Sequence, residues 1–126
     1  MTDAPPFSVH LYHLSCCDLR TLQSLAEARC LSDRLARMDP WRTLRYTSNT
    51  LLAYLLRQDT ALYRYAVVVP DTTIGVVCVR YPWLRGAYLE LIGLEAAYQG
   101  LGVGREILRW VEGQARLAVP NVWVLV

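Results

Sequence analysis

The stretch Tyr98–Leu108, YQGLGVGREIL, places glycine at 100, 102 and 104 and then passes at once into residues with helical spacing. Glycine lacks a Cβ, so it tolerates positive φ and lets backbone come close to a ligand. A loop that opens a helix also presents unpaired N–H groups at the positive end of the helix dipole, an arrangement that suits anions. The stretch therefore predicts an anion-binding turn, with a phosphorylated cofactor as the first candidate. Ahead of it, Ala87–Leu94 (AYLELIGL) has the composition of a strand. Behind it, Val103, Ile107, Val111 and Ala115 mark one face of a helix.

Two common phosphate motifs do not fit this loop. The dinucleotide fingerprint G-x-G-x-x-G takes Gly102 and Gly104 but meets Ile107 at the third glycine. It also falls late in the chain, after strands that read as antiparallel, where a first βαβ unit would be expected. A Walker loop needs G-K-[ST], and Gly104 is followed by Arg105 and Glu106.

Outward from the loop, the chain reads as a single domain over residues 1–126. Met1–Phe7 is a flexible tail and Ser8–Leu14 a first strand. Asp18–Met38 follows as a helix, with Leu19, Leu22, Leu25 and Ala26 at helical spacing and Asp18 as its cap. Asp39, Pro40 and Trp41 break it, and a second helix covers Ser48–Arg57, capped by Thr47 or Ser48. The period then changes. Leu62–Val69 and Thr73–Arg80 are rich in β-branched and aromatic residues and read as strands, with Tyr81–Gly86 as a hairpin connection to Ala87–Leu94. Pro120 ends the last helix, and Asn121–Val126 is a final strand. The order β-α-α-β-β-β-α-β predicts an α+β or α/β chain that is not doubly wound.

Composition narrows the function. Of the 126 residues, 54% are hydrophobic and 19% charged, enough apolar material for a real core and unlike a disordered chain. A net charge of +2 gives no basic footprint for nucleic acid or an anionic membrane. The thirteen basic residues are all Arg, which reads as the coding bias of a GC-rich, bacterial genome. Cys16, Cys17, Cys30 and Cys78 form no C-x-x-C pair, and no secretory leader precedes them, so reduced thiols in a cytoplasm are expected. His10, His13, Cys16 and Cys17 do not have a zinc spacing, and residues three apart on a strand face opposite sides. No metal is expected.

With the rival motifs set aside, Gln99-x-x-Gly102-x-Gly104 between a strand and a helix resembles the pyrophosphate loop of the GNAT family of acetyl-CoA-dependent N-acetyltransferases. The likeness runs back through LELIGLEAAYQGLGVG, Leu89–Gly104, and the order of elements agrees from Ser8 to Val126. The resemblance implies a three-layer fold with a mixed, largely antiparallel central sheet and helices on both faces. It implies acetyl-CoA as cofactor, held by Ile92, Gly93 and Leu94 along the pantetheine arm. Gln99, Gly100, Leu101, Gly102, Val103, Gly104 and Arg105 would hold the pyrophosphate. It also implies direct acetyl transfer to a primary amine, in a small molecule or a peptide.

The chemistry then needs a deprotonated amine, a polarised thioester and a proton for the departing thiolate. Glu90 is the candidate base. In a regular strand it shares a face with Tyr88 and Ile92, just upstream of the acetyl group. The alternative is a solvent-facing strand carboxylate opposite an Arg. Trp41, Tyr46 and Tyr88 are candidate acceptor-binding residues, with Arg42 beside the first two; Trp41 and Tyr88 serve equally well as packed core aromatics.

The likeness to the family stops at Val126, after the fifth strand, ahead of the C-terminal helix and the last two strands the pattern would add. The family's general-acid tyrosine has no counterpart here. Val122–Val126 is then expected to be an uncharged edge strand, a pairing hazard best covered by the same strand of a second copy. Hence a homodimer is expected. A non-catalytic GNAT-like module that binds CoA or a protein partner is the alternative to an enzyme.

Overall fold

The computed structural model describes residues 5–84, 86–117 and 121–123. Its elements are β1 (Leu11–His13), β2 (Asp18–Thr21), α1 (Leu25–Ala36), α2 (Ser48–Leu56), β3 (Leu62–Val69), β4 (Thr72–Trp83), β5 (Gly86–Leu94), α3 (Val103–Ala115) and β6 (Asn121–Trp123). A single 3₁₀ turn, Ala96–Tyr98, separates β5 from α3. Two compact units are distinguished: Met1–Thr21 with Thr60–Val126, and Leu22–Asp59.

The first unit is a six-stranded sheet in the order β1-β2-β3-β4-β5-β6. Neighbours from β1 to β5 are antiparallel, and β5 with β6 is parallel. This is the α+β arrangement with a mixed, largely antiparallel sheet. The apolar face of α3, made of Val103, Ile107, Trp110, Val111 and Ala115, joins Leu19, Tyr65, Val67, Ile74, Val77, Val79, Ala87 and Leu94 in one core.

Two β-bulges shape the central strands. Val67 pairs with Gly75 and Val68 with Thr73, so Ile74 is an extra residue on β4. Cys78 pairs with Leu91 and Val79 with Leu89, so Glu90 is an extra residue on β5. A bulge reverses the alternation of faces beyond it. Ala87 and Leu89 lie on the core side before Glu90, and Ile92 and Leu94 lie on that same side after it.

Several expectations need correction. Asp18–Thr21 is a strand, because Leu19 has a fully buried place opposite Val67 on β3. Asp18 therefore caps no helix. Ser24 does, accepting a hydrogen bond from Glu27 N–H at 3.1 Å, while the Glu27 carboxylate accepts from Gln23 N–H. The β4 strand runs on through Trp83, with its ladder interrupted between Arg80 and Trp83, where Pro82 has no N–H to give.

Phe7 is no tail residue. Its ring is 2% exposed against Tyr63, Tyr81 and Trp110. Its N–H donates to Gln114 Oε1 at 3.1 Å, and its carbonyl accepts from the Tyr65 hydroxyl at 2.8 Å. Burial pushes the Tyr65 phenol well above its usual range and keeps it a donor. Val124–Val126 and Pro120 lie outside the described residues.

In the second unit, α2 is capped by Thr47 in a reciprocal box with Thr50. Arg29 Nη1 donates to Asn49 Oδ1 at 3.1 Å, and Ser48 Oγ donates to the Asp33 carboxylate, so α1 and α2 are tied near their polar sides.

Gly75 meets the backbone of β5 directly: a Cβ there would lie 2.1 Å from the Gly93 carbonyl oxygen. Backbone cannot swing aside as a side-chain tip can. Gly75→Ala is expected to lower the unfolding free energy by about 2 kcal/mol or more, read from urea titration; a midpoint equal to the parent would refute the close approach.

Candidate functional site

The end of β5 hands over to α3 through residues 95–102. Glu95 N–H donates to the Ile74 carbonyl at 2.8 Å, which closes the ladder at the bulge of β4. The 3₁₀ turn follows, and Gln99 turns its side-chain amide back to the Leu94 carbonyl at 2.8 Å. Gly100 and Gly102 then take φ of 76° and 87°. Such angles suit glycine far better than a residue carrying a Cβ.

Gly102 is the N-cap of α3 and has no side chain to cap with. The first bond of the helix runs from Glu106 N–H to the Gly102 carbonyl at 3.1 Å. The N–H groups of Val103, Gly104 and Arg105 therefore have no acceptor inside the helix. A Cβ built on Gly100, Gly102 or Gly104 would meet nothing within 4 Å, so the loop is uncrowded beside its glycines. Arg105 is exposed in the same turn. Uncrowded glycines, free N–H groups and the positive dipole end converge on one spot, which can hold an anion.

Along β5, Ile92 and Leu94 pair with Val77 and Gly75 of β4. On the opposite edge, among the described residues, β6 pairs with Gly86, Ala87 and Tyr88. Among the described residues, the Leu89–Leu94 half of that edge has no strand partner.

Glu90, the bulged residue, is held by Arg80 of β4. Arg80 Nε and Nη2 donate to Oε1 at 3.3 Å each, and Nη2 donates to Oε2 at 3.2 Å. The two side chains are 20% and 25% exposed. Arg80 lies opposite Tyr88, whose ring packs on Trp83 with centroids 4.8 Å apart. The expected shared face of Tyr88, Glu90 and Ile92 is thus broken: Ile92 is turned to the α3 core by the bulge. Trp83 and Arg80 were not singled out in the sequence, because their nearness to Tyr88 and Glu90 depends on the cross-strand register.

Trp41 and Tyr46 belong to the second unit. Tyr46 N–H donates to the Trp41 carbonyl at 2.9 Å, and Tyr46 is 50% exposed. Asp39 organises the turn by accepting from Thr43 Oγ1 and Arg42 Nη2, and these bonds hold its carboxyl below the usual range. Among the described residues no group of three or more His, Cys, Asp or Glu is placed to hold a metal, and no helix is long and apolar enough to cross a membrane.

The sequence matches the acetyltransferase (GNAT) family over residues 23–124, and the chain belongs to that family. No curated protein is significantly similar in sequence. Among solved structures, an acetyltransferase from Thermus thermophilus superposes with a TM-score of 0.70 at 20% identity, covering 91% of this chain and 79% of that one. AAC(6')-Iy, in complex with the bisubstrate analogue CoA-S-monomethyl-acetylneamine, gives 0.61 at 17% identity, with 89% and 80% covered. A predicted acetyltransferase from Clostridium acetobutylicum, determined with acetyl-CoA, gives 0.57 at 11% identity, with 87% and 80% covered. At these identities the likeness is one of fold.

The Gln99 amide is the side-chain clamp between strand end and loop. Gln99→Ala is expected to lower stability by about 1 kcal/mol and to speed amide exchange in residues 99–102. Unaltered exchange there would show that the loop holds its shape without the clamp.

Proposed function

We propose that the chain transfers an acetyl group from acetyl-CoA to a primary amine. The observation that carries this reading is the uncapped start of α3, uncrowded beside its glycines and placed directly after β5. The N–H groups of Val103, Gly104 and Arg105 donate to the diphosphate, with Gly100, Leu101 and Gly102 shaping the approach and Arg105 adding a cation. Family membership and the CoA ligands of the neighbours' structures favour CoA over other diphosphates.

From that anchor the pantetheine arm follows the edge of β5 past Leu94, Gly93 and Ile92, which has no strand partner among the described residues, in the manner of an added strand. Four residues of strand, about 13 Å, lead from Leu94 to Glu90, so the thioester comes to the bulge. There Glu90 takes the amine's proton, directly or through a water, and Tyr88 orients the acceptor. Arg80 engages both Glu90 oxygens, and its positive charge makes the carboxylate a weaker base than an unpaired one. The amine nitrogen bonds to the acetyl carbon as donors polarise the carbonyl, the carbon–sulfur bond then breaks, and CoA leaves as a thiolate that takes up a proton from water.

The same ion pair favours a second reading. A carboxylate held on both oxygens by a guanidinium is also what a non-catalytic, CoA-binding or partner-binding module would carry. The two readings separate on turnover. The homodimer is carried with the first reading, since β6 stands at the sheet edge; sedimentation of a concentrated sample as a monomer would remove it.

Calorimetric titration with acetyl-CoA, and with CoA as control, tests the cofactor reading. Saturable micromolar binding is expected. Gly104→Leu puts a good helix former into open space, so the melting temperature should hold while affinity falls at least about tenfold; retained affinity would refute the loop as the diphosphate site. Once an acceptor turns over, Glu90→Gln is expected to lower kcat by about a hundredfold with the KM for acetyl-CoA little changed. An unchanged kcat would move the base elsewhere.

A further inference from the structure

We propose that Ser15, by holding the Glu106 carboxylate, positions the uncapped start of α3 for the cofactor's diphosphate; this rests on the cofactor reading above. Ser15 Oγ donates to Glu106 Oε1 across 91 positions of sequence. Glu106 is the residue whose N–H makes the first bond of α3. The tie therefore acts on the turn that carries the three free N–H groups.

That turn has little else to fix it on this side. Its cap is a glycine at φ 87° with no side-chain bond. Val103 and Ile107 are buried and hold the core-facing side, 5% and 0% exposed. Glu106 lies about 100° around the helix from Ile107, so Ser15 braces a second direction. The brace is itself rigid. Leu14 N–H donates to the Cys17 carbonyl at 2.9 Å across the β1–β2 turn, and Cys17 is built into the core at 6% exposed.

The tie also deals with an electrostatic conflict. A carboxylate in the first turn competes with an incoming anion for the same positive potential. Glu106 Oε2 has no solvent-accessible surface of its own and no hydrogen-bond partner of good geometry. The Cys16 thiol beside it and the Ser15 hydroxyl hold the carboxyl below its usual range. Burial, with help from Glu106, pushes the Cys16 thiol up to about 12, so the thiol stays protonated. Of these two donors, the hydroxyl is the one that bonds the carboxylate directly.

The test uses the full chain with Ser15→Ala, Ser15→Thr, Glu106→Ala, Glu106→Gln and the Ser15→Ala/Glu106→Ala pair. The dissociation constants of CoA and dephospho-CoA are measured, together with amide exchange of residues 103–107 in the free protein. Ser15→Ala and Glu106→Ala should each weaken both ligands about tenfold, by equal factors, because the fault lies at the diphosphate. The double variant should be no worse than either single one. Ser15→Thr should restore binding. Glu106→Gln keeps an accepting oxygen and sheds the charge, so its affinity should equal or exceed the parent's. Exchange at 103–107 should quicken in Ser15→Ala. If the parent itself binds neither ligand, the cofactor reading falls, and the exchange measurement alone decides the tie. Exchange and affinity both unchanged in Ser15→Ala, additive losses in the pair, or equal loss in Ser15→Thr would overturn the proposal.

Discussion

A helix that begins without a side-chain cap leaves donors that must meet an acceptor, and this constraint organises the unit built on the sheet. At the start of α3, Gly102 gives the turn its left-handed angle and contributes no oxygen of its own. An aspartate or serine there would have satisfied one N–H and closed the turn on itself. Glycine keeps the turn open. The sheet then supplies what the loop cannot, a fixed base: β5 is paired along its length to β4, and α3 lies in the same core as both.

That core is held at both ends of α3. Near its start stands the Ser15–Glu106 contact, and near its end Gln114 accepts from Phe7 N–H and from the Tyr12 hydroxyl at 3.2 Å. Phe7, Tyr12, Tyr65 and Trp110 pack edge to face around this second point. Aromatic pairs of this geometry add to the area they bury. The helix that carries the loop is thus fastened at each end to residues from the beginning of the chain.

Much of this was legible in the sequence. The glycine spacing, the apolar face of α3 and the β-branched runs of β3 and β4 are local signals, and each element lies where those signals put it. The loop could be read because three glycines are themselves the signal. The first turn of α1 carries a local signal as well, Ser24-x-x-Glu27, which the reading of Asp18 as the cap passed over. Tertiary pairing of Leu19 with Val67 decided the matter, and pairing leaves no trace in a local period. Phe7 was illegible for the same reason: a single aromatic after two prolines looks like tail until Tyr65 and Gln114 are brought to it. The Arg80–Glu90 pair needs the register of a hairpin that contains a bulge, and bulges have no reliable composition. Hence the loop was read closely, while the Arg expected opposite Glu90 could not be given a number from the sequence.

The bulge at Glu90 has a consequence of another kind. Leu89 and Ile92 stand three positions apart, an odd separation that a regular strand would send to opposite faces, and the bulge absorbs the odd position. Substitution at Glu90 changes a side chain and leaves that count alone. Loss of the Glu90 codon would remove the bulge itself and leave Leu89, Ile92 and Leu94 in plain alternation on the α3 side. Glu90 is therefore a place where β5 could shorten by one residue with its core face intact.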